Sequence, residues 1–256
     1  MNSLVFTAVD NFPRIKKDDN LSSILIKLLD EQEISILDGD IFVFAQKIVS
    51  KSEGRLVNFS KIKPSSQALE LEKITQKDPR FIELVLGESK KVIRVRQNTL
   101  IVEHKKGFIC ANAGIDHSNI GEDEELSEEW ALLLPLDPDK SAASIRRNLE
   151  NYFKKKIGVL IIDSHGRAWR NGTVGITIGI AGIPGLVDLR GEKDLVGFKL
   201  KNTTVGAADE LAAGASLLMG QAAEGKPVIH VRGFPYELRE SSLNELIREE
   251  SQDLFR

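Results

Sequence analysis

The residues best equipped for chemistry stand together in Asn112-Ala-Gly-Ile-Asp116-His-Ser-Asn119, where the apolar run Phe108-Ile-Cys-Ala111 gives way to a carboxylate, amides and small residues. A loop leaving a buried strand is where a rigid scaffold presents polar groups to a ligand. Asp116 offers hard oxygen ligands and Asn119 an amide that donates and accepts, while Gly114 permits positive φ or a close approach of backbone to ligand. By itself the stretch reads equally as an ordinary turn, because Asn, Gly, Asp and Ser favour turns. A second carboxylate bears on the choice. Ile157-Gly-Val-Leu-Ile-Ile162, the clearest buried strand, ends on Asp163-Ser-His-Gly-Arg167. Two aspartates on neighbouring strand ends suit a hard divalent cation held between them.

A third polar cluster follows Ile41-Phe-Val-Phe-Ala45, an unbroken apolar run that predicts a strand buried on both faces. Its continuation delivers Gln46, Lys47 and Lys51, and ammonium groups there either pair with phosphate oxygens or are simply solvated. Gly220-Gln-Ala-Ala-Glu-Gly225-Lys226 has the spacing of a phosphate-binding loop, but Pro227 replaces the required Ser or Thr and the order is helix to strand, the reverse of that motif. Its glycine-containing turn still offers N–H groups to phosphate. No G-x-G-x-x-G follows a strand, the four histidines lack metal-ligand spacing, and no Ser stands in a nucleophile elbow. What remains is positioning combined with metal and phosphate electrostatics.

The elements that must carry these groups read as an α+β chain. Strands are predicted at Leu4 to Val9, Ile41 to Ala45, Lys91 to Arg96, Thr99 to Glu103, Phe108 to Ala111, Ile157 to Ile162, Thr173 to Ile180 and Pro227 to Arg232. Gln97-Asn98 and His104 to Gly107 predict hairpins, hence an antiparallel arrangement. In the run from Thr173, Val174, Ile176, Ile178 and Ile180 alternate with Thr or Gly, which keeps one face small enough for a backbone or ligand to lie against it. Helices are expected from Leu21, behind Pro64 and Pro79, from near Ser141 to Phe153, from Thr204 to Met219 and from Leu243 to Phe255. Arg146 and Arg147 either meet an anion or lie exposed. The acidic run from Gly121 to Glu129 reads as solvated loop or short helix.

With 256 residues, 35 Lys and Arg against 38 Asp and Glu, and a net charge of -3, the chain can bury a core and has no overall basic field for nucleic acid or acidic membranes. The single cysteine, Cys110, excludes an intramolecular disulfide and reads as a small core residue. No secretory signal or membrane-length apolar run is seen, so a cytoplasmic protein is expected.

Several of these blocks occur together in one known family. Gly39-Asp40 through Ala45-Gln-Lys-Ile-Val-Ser-Lys51-Ser-Glu-Gly54-Arg55, Asn112 to Asn119, Leu134-Pro-Leu-Asp-Pro-Asp139, Ile162 to Arg167, Gly172-Thr-Val-Gly175 and Leu217-Leu-Met-Gly-Gln221 resemble, in order and across nearly the whole chain, the γ-glutamyl ligases of coenzyme F420 (deazaflavin) biosynthesis. The resemblance implies an α+β fold with largely antiparallel sheets in two interlocked subdomains. It implies one module over residues 1–256, without the nitroreductase-like domain fused to it in some relatives, and a homodimer. The implied reaction joins L-glutamate to the deazaflavin precursor, using GTP and Mg2+ or Mn2+, with a monovalent cation such as K+ as a further expected ion.

Carried over by position, Asp116, Asp163, Ser164 and Gln221 would bind metal. Ser164 keeps the hydroxyl where the family often has Thr, and Gln221 supplies an amide oxygen where an acidic residue can occur. Asp10, Asn11, Phe12, Pro13, Gln46, Lys47, Lys51, Asn119 and the turn Met219, Gly220, Gln221, Ala222, Ala223, Glu224, Gly225, Lys226 would surround the nucleotide. Lys51 would join Asp116 and Asp163 in stabilising the transferred phosphoryl group. Rival readings are a same-fold amide ligase for another acid and a nucleotide- and metal-binding regulator without turnover.

Overall fold

The computed structural model describes residues 3–117 and 129–254. In chain order its strands are β1 (Val5–Ala8), β2 (Ile41–Ala45), β3 (Leu56–Asn58), β4 (Ser89–Arg96), β5 (Thr99–His104) and β6 (Ile109–Ala111). They continue with β7 (Trp130–Leu132), β8 (Gly158–Arg167), β9 (Arg170–Ala181), β10 (Val187–Asp188), β11 (Thr204–Val205) and β12 (Val228–Arg232). The helices are α1 (Leu21–Glu31), α2 (Gln46–Ser52), α3 (Ser66–Thr75), α4 (Pro79–Gly87), α5 (Pro138–Phe153) and α6 (Ala207–Met219). The result is the expected α+β fold with largely antiparallel sheets.

The central sheet has the order β1-β12-β2-β8-β9. Only β2 and β8 within it run parallel, with Ala45 level with Ile162, so the carboxyl ends of two unbroken apolar strands lie side by side. β12 is antiparallel to β2 and β1 to β12, which turns the start of β12 and the end of β1 toward that same edge. Strands this deeply buried need both faces covered. On one face α6 packs over Ile41, Val43, Leu160, Ile180 and Ile229. The other face belongs to a larger core containing Phe42, Phe44, Val159 and Ile161, which runs on into Ile82, Val85, Leu100 and Val102 of α4 and the antiparallel sheet β4-β5-β6.

β9 shows how the sequence allows this covering. A Cβ on Gly175 would lie 2.5 Å from Ser216 Cβ and 2.7 Å from the Ala212 carbonyl of α6, so the small face predicted for this strand does admit another backbone. The strict alternation does not persist, however. A register shift opposite Ile161 and Ile162 turns the strand, sending Ile178 into the larger core and Ile180 into the one under α6.

Other expectations change for identifiable reasons. Gln46 to Lys51, to which the sequence reading assigned no element, lies in the helix α2, with Gln46, Ile48, Val49 and Ser50 buried. β8 does not end at Asp163; it runs on to Arg167 as a hairpin with β9, beyond the apolar core. The helix expected from Leu243 to Phe255 is reduced to short 3-10 turns at Leu243–Glu245 and Glu250–Gln252. α5 is capped by Asp137 ahead of Pro138 rather than near Ser141. Arg146 is taken up structurally, bonded to Glu150, Glu240 and the Ile157 carbonyl. Most of the acidic run falls outside the described residues; Glu129, at its end, pairs with Arg80 at 2.9 Å. Among the described residues no helix is long and apolar enough to cross a membrane.

Candidate active site

One edge of the central sheet collects nearly all the candidate segments. Asp10 to Pro13 follow β1, whose end is fixed by a bond from the Val9 amide to the Val228 carbonyl. The turn Met219 to Lys226 leads from α6 into β12, and the Pro227 carbonyl accepts from the Ala45 amide. Gln46 and Lys47 open α2 directly after β2, and Asp163 is the next residue of β8 beyond the position level with Ala45. Segments separated by more than two hundred residues of chain are thus made neighbours by strand order alone.

Asp116 arrives from the other sheet. Asn112, Ala113 and Gly114 take successive left-handed conformations, with φ of 49°, 54° and 66°. A Cβ on Gly114 would sit 2.6 Å from Leu134 Cδ1, so the glycine serves both its backbone angle and its packing. Holding Asn and Ala in this region as well stores strain. After the turn the chain is extended and Asp116 exchanges backbone hydrogen bonds with Leu132, of 3.0 and 2.9 Å. Its carboxylate accepts from Gln46 Nε2 on Oδ2, and Lys47 Nζ lies 3.5 Å from Oδ1. Gln46 is itself fixed, being buried and accepting from Ser50 Oγ at 2.9 Å.

Burial pushes the Asp116 carboxyl up, Lys47 pulls it down, and the charge of Asp163 pushes it up again; the balance lies at about 6. Two carboxylates therefore sense one another across the sheet edge, which favours an added positive charge between them. Asp163 is oriented by His165, whose Nε2 lies 2.8 Å from its Oδ2. The sequence reading missed His165, although residues two apart in a strand share a face and that spacing was the available signal. Burial pushes the nearby Cys110 thiol up to about 12, in keeping with an inert core residue.

The remaining candidates are placed less centrally. Ser164 is exposed and leaves the opposite face of β8 from Asp163, level with Gly175 and hence on the side of α6. Gln221 is exposed in the turn after α6, whose backbone includes Gly220 at φ 75° and whose Ala222 amide donates to Glu224 at 2.8 Å. Lys51 stands one helical turn beyond Lys47 on α2. Asn11 takes positive φ and the Asp10 backbone is clasped by the Gln32 amide through bonds of 3.1 and 2.9 Å. Asn119 lies outside the described residues. Among the described residues no group of three or more His, Cys, Asp or Glu side chains is gathered to hold a metal unaided.

The geometry defines an α+β protein in which paired carboxylates, lysines and a glycine-containing turn are gathered at one end of the central sheet. A narrower class follows from comparison with known proteins. The family model for F420-0:gamma-glutamyl ligase matches residues 11–233, and the chain belongs to that family. It is 44% identical over 250 residues to the coenzyme F420:L-glutamate ligase of Methanothermobacter thermautotrophicus, covering 97% of each chain. It is 45% identical over 221 residues to the enzyme of that name from Methanocaldococcus jannaschii, covering 86% of each. With the one from Methanosarcina mazei it shares 40% identity over 250 residues, 97% of this chain and 94% of the other.

Proposed function

We propose that this chain joins L-glutamate by an amide bond to the deazaflavin precursor of coenzyme F420 and extends the product through γ-carboxylates, at the expense of GTP. The observation that carries this reading is the convergence of Asp10 to Pro13, Gln46 and Lys47, Asp163 and the Met219 to Lys226 turn on one sheet edge, with Asp116 brought to it by Gln46. These are the segments the family resemblance assigns to nucleotide and metal.

A carboxylate is a poor electrophile, and the chemistry follows from that. An oxygen of the acceptor carboxylate attacks the γ-phosphorus of GTP, the bond to the β-phosphate oxygen breaks, and GDP leaves. The glutamate amine then attacks the acyl carbon of the acyl phosphate, loses a proton, and expels inorganic phosphate. Loose phosphoryl-transfer transition states are stabilised chiefly by positioning and charge. Lys47 and Lys51, spaced one turn apart on α2, are suited to hold phosphate oxygens, and the amides of the 219–226 turn to donate to them.

Two carboxylates without a third acidic or imidazole ligand among the described residues fit Mg2+ or Mn2+ of the kind that completes its shell with nucleotide phosphates and water. Asp116 and Asp163 would hold it, with Gln221 approaching from the turn after α6, whereas the Ser164 side chain leaves the opposite face of β8 from Asp163; when bound it would neutralise charge on the phosphates. A monovalent cation such as K+ would add to this. Exposed Leu195, Val196 and Phe198 on the excursion between β10 and β11 support a homodimer, because such a cluster is costly to leave in water.

Purified protein given GTP, Mg2+ or Mn2+, L-glutamate and the precursor should release GDP and add glutamyl residues detectable by mass spectrometry. Absence of GDP and product with a verified precursor would overturn the proposal.

A further inference from the structure

Beyond the carboxylate site lies a cavity of about 470 Å³ lined by none of the residues assigned to nucleotide or metal. The extended segment after Gly114 separates the two: Asp116 turns its side chain to Gln46, while Ile115 and His117 on either side of it line the cavity. The opposite wall comes from α4 and the turn after β3. Phe59 and Phe81 meet edge to face with centroids 6.0 Å apart, and the His117 ring lies 5.6 Å from the first and 5.8 Å from the second. His117 is exposed, whereas the two phenylalanines are buried up to the wall.

The polar groups around these rings are few and directional. Lys77 Nζ stands over the Phe81 ring, 5.3 Å from its centroid, and the Arg80 guanidinium over Phe59 at 5.8 Å. Arg80 is neutralised by Asp78 and Glu129 at 2.6 and 2.9 Å, so it contributes a flat surface more than a net charge. Asn112 Oδ1 is buried with no hydrogen-bond partner among the described residues, and Asn112 lines the cavity. A buried acceptor left unpaired costs stability unless a donor is brought to it. Aromatic walls with a few convergent polar groups describe a small-molecule pocket for a planar heteroaromatic ring.

We infer that this cavity is the subsite for the deazaflavin ring of the acceptor, with His117, Phe59 and Phe81 packing against the ring and Asn112 Oδ1 accepting from a ring N–H. The inference rests on the ligase reading for the identity of the ring. Its position beside the carboxylates, rather than among them, suits an acceptor whose reacting carboxyl is carried at the end of a polyol-phosphate arm. The ring is anchored on one side of the 115–117 segment and the arm passes to the other.

The test uses the whole protein and two readouts. The deazaflavin riboside, which has the ring but lacks the phospholactyl arm, should bind wild type with quenched fluorescence and compete with the acceptor. His117→Ala, an exposed change, should weaken that binding roughly three- to tenfold, as should Phe81→Leu, and His117→Phe should restore it. In turnover the loss should fall on KM for the acceptor and leave KM for GTP in place. The inference is overturned if the riboside does not bind wild type, if His117→Ala and Phe81→Leu leave binding and KM unchanged, or if phospholactate without the ring is used as efficiently as the full acceptor. Absence of turnover with every acceptor, while the riboside still binds and His117→Ala weakens it, would count against the ligase reading and leave the ring subsite standing.

Discussion

Two aspartates stand at the two ends of β2 and are treated in opposite ways. Asp40, just before the strand, is almost wholly buried, yet its carboxyl is held well below the usual range: burial pushes it up, but Arg232 and then His230 more than compensate. Arg232 donates from Nε and Nη2 at 2.9 and 2.6 Å, the Leu37 amide donates at 2.9 Å, and His230 Nε2 lies 2.9 Å away. Asp116, brought to the other end, has one amide and a single ammonium at 3.5 Å against the charge of Asp163. A carboxylate whose countercharge is built into the neighbouring strand is a structural joint. One raised to about 6 by burial and a second carboxylate is short of positive charge, and a ligand must bring it.

Exchanging each acid for its amide should separate the two roles. Asp116→Asn should lower ligation by roughly a hundredfold or more, the scale of losing a main electrostatic contact to a transferring group. It should leave the ligand-free protein as stable as wild type or more so. Asp40→Asn should cost about 3–5 kcal/mol in urea unfolding, because it strands the Arg232 guanidinium, while kcat/KM of the protein still folded changes little. If Asp116→Asn is destabilised as strongly as Asp40→Asn, Asp116 is a structural joint as well and the contrast collapses.

The same contrast has a pH signature in metal-free protein. Asp116 binds its proton more tightly folded than unfolded, so its contribution favours folding at low pH and is lost as pH rises from about 4 to about 6. A shift of this size corresponds to about 3 kcal/mol. The stability of wild type minus that of Asp116→Asn should fall across that interval and be flat above it. Asp40 has the opposite sign: its contribution is full above the ordinary carboxylate range and is lost only as pH falls through its lowered value. Mn2+ binding should weaken below about pH 6, where Asp116 takes up a proton.

How far this was visible in the chain depends on range. The unbroken runs at β2 and β8 were legible because strands buried on both faces leave no polar residue to interrupt them, and the hairpins of β4-β5-β6 because Asn98 and Gly107 mark their turns with positive φ. Asp116 and Asp163 were legible as carboxylates following such runs. α2 was not, since seven residues are too few to show a helical period. The final helix was a false positive: Leu243, Leu246 and Ile247 have helical spacing, but tertiary packing against the larger core is satisfied by short turns. Asp40 showed nothing in sequence of its role, because Arg232 is 192 residues away and the antiparallel pairing of β12 with β2 that brings them together was unforeseen.

The finest test of the comparison lies in the histidines, since each end of the sheet has one beside its aspartate. His165 Nε2 is hydrogen-bonded to Asp163 at 2.8 Å, whereas His230 Nε2, though 2.9 Å from Asp40, is not aligned for a hydrogen bond to it. Their surroundings differ in the same sense. Asp40 keeps Arg232 if His230 is lost, and His230→Gln should cost only about 1 kcal/mol of stability, without effect on Mn2+ affinity. Asp163 depends on His165 for its orientation toward the sheet edge, and the outer partners of metal-binding carboxylates are typically worth about ten- to a hundredfold in affinity. His165→Gln should therefore weaken Mn2+ binding, measured by titration calorimetry, by about tenfold or more, with a smaller effect on unfolding than on binding. Equal effects of the two substitutions on Mn2+ would mean that the distinction between a completed and an uncompleted carboxylate does not extend to the groups that orient them.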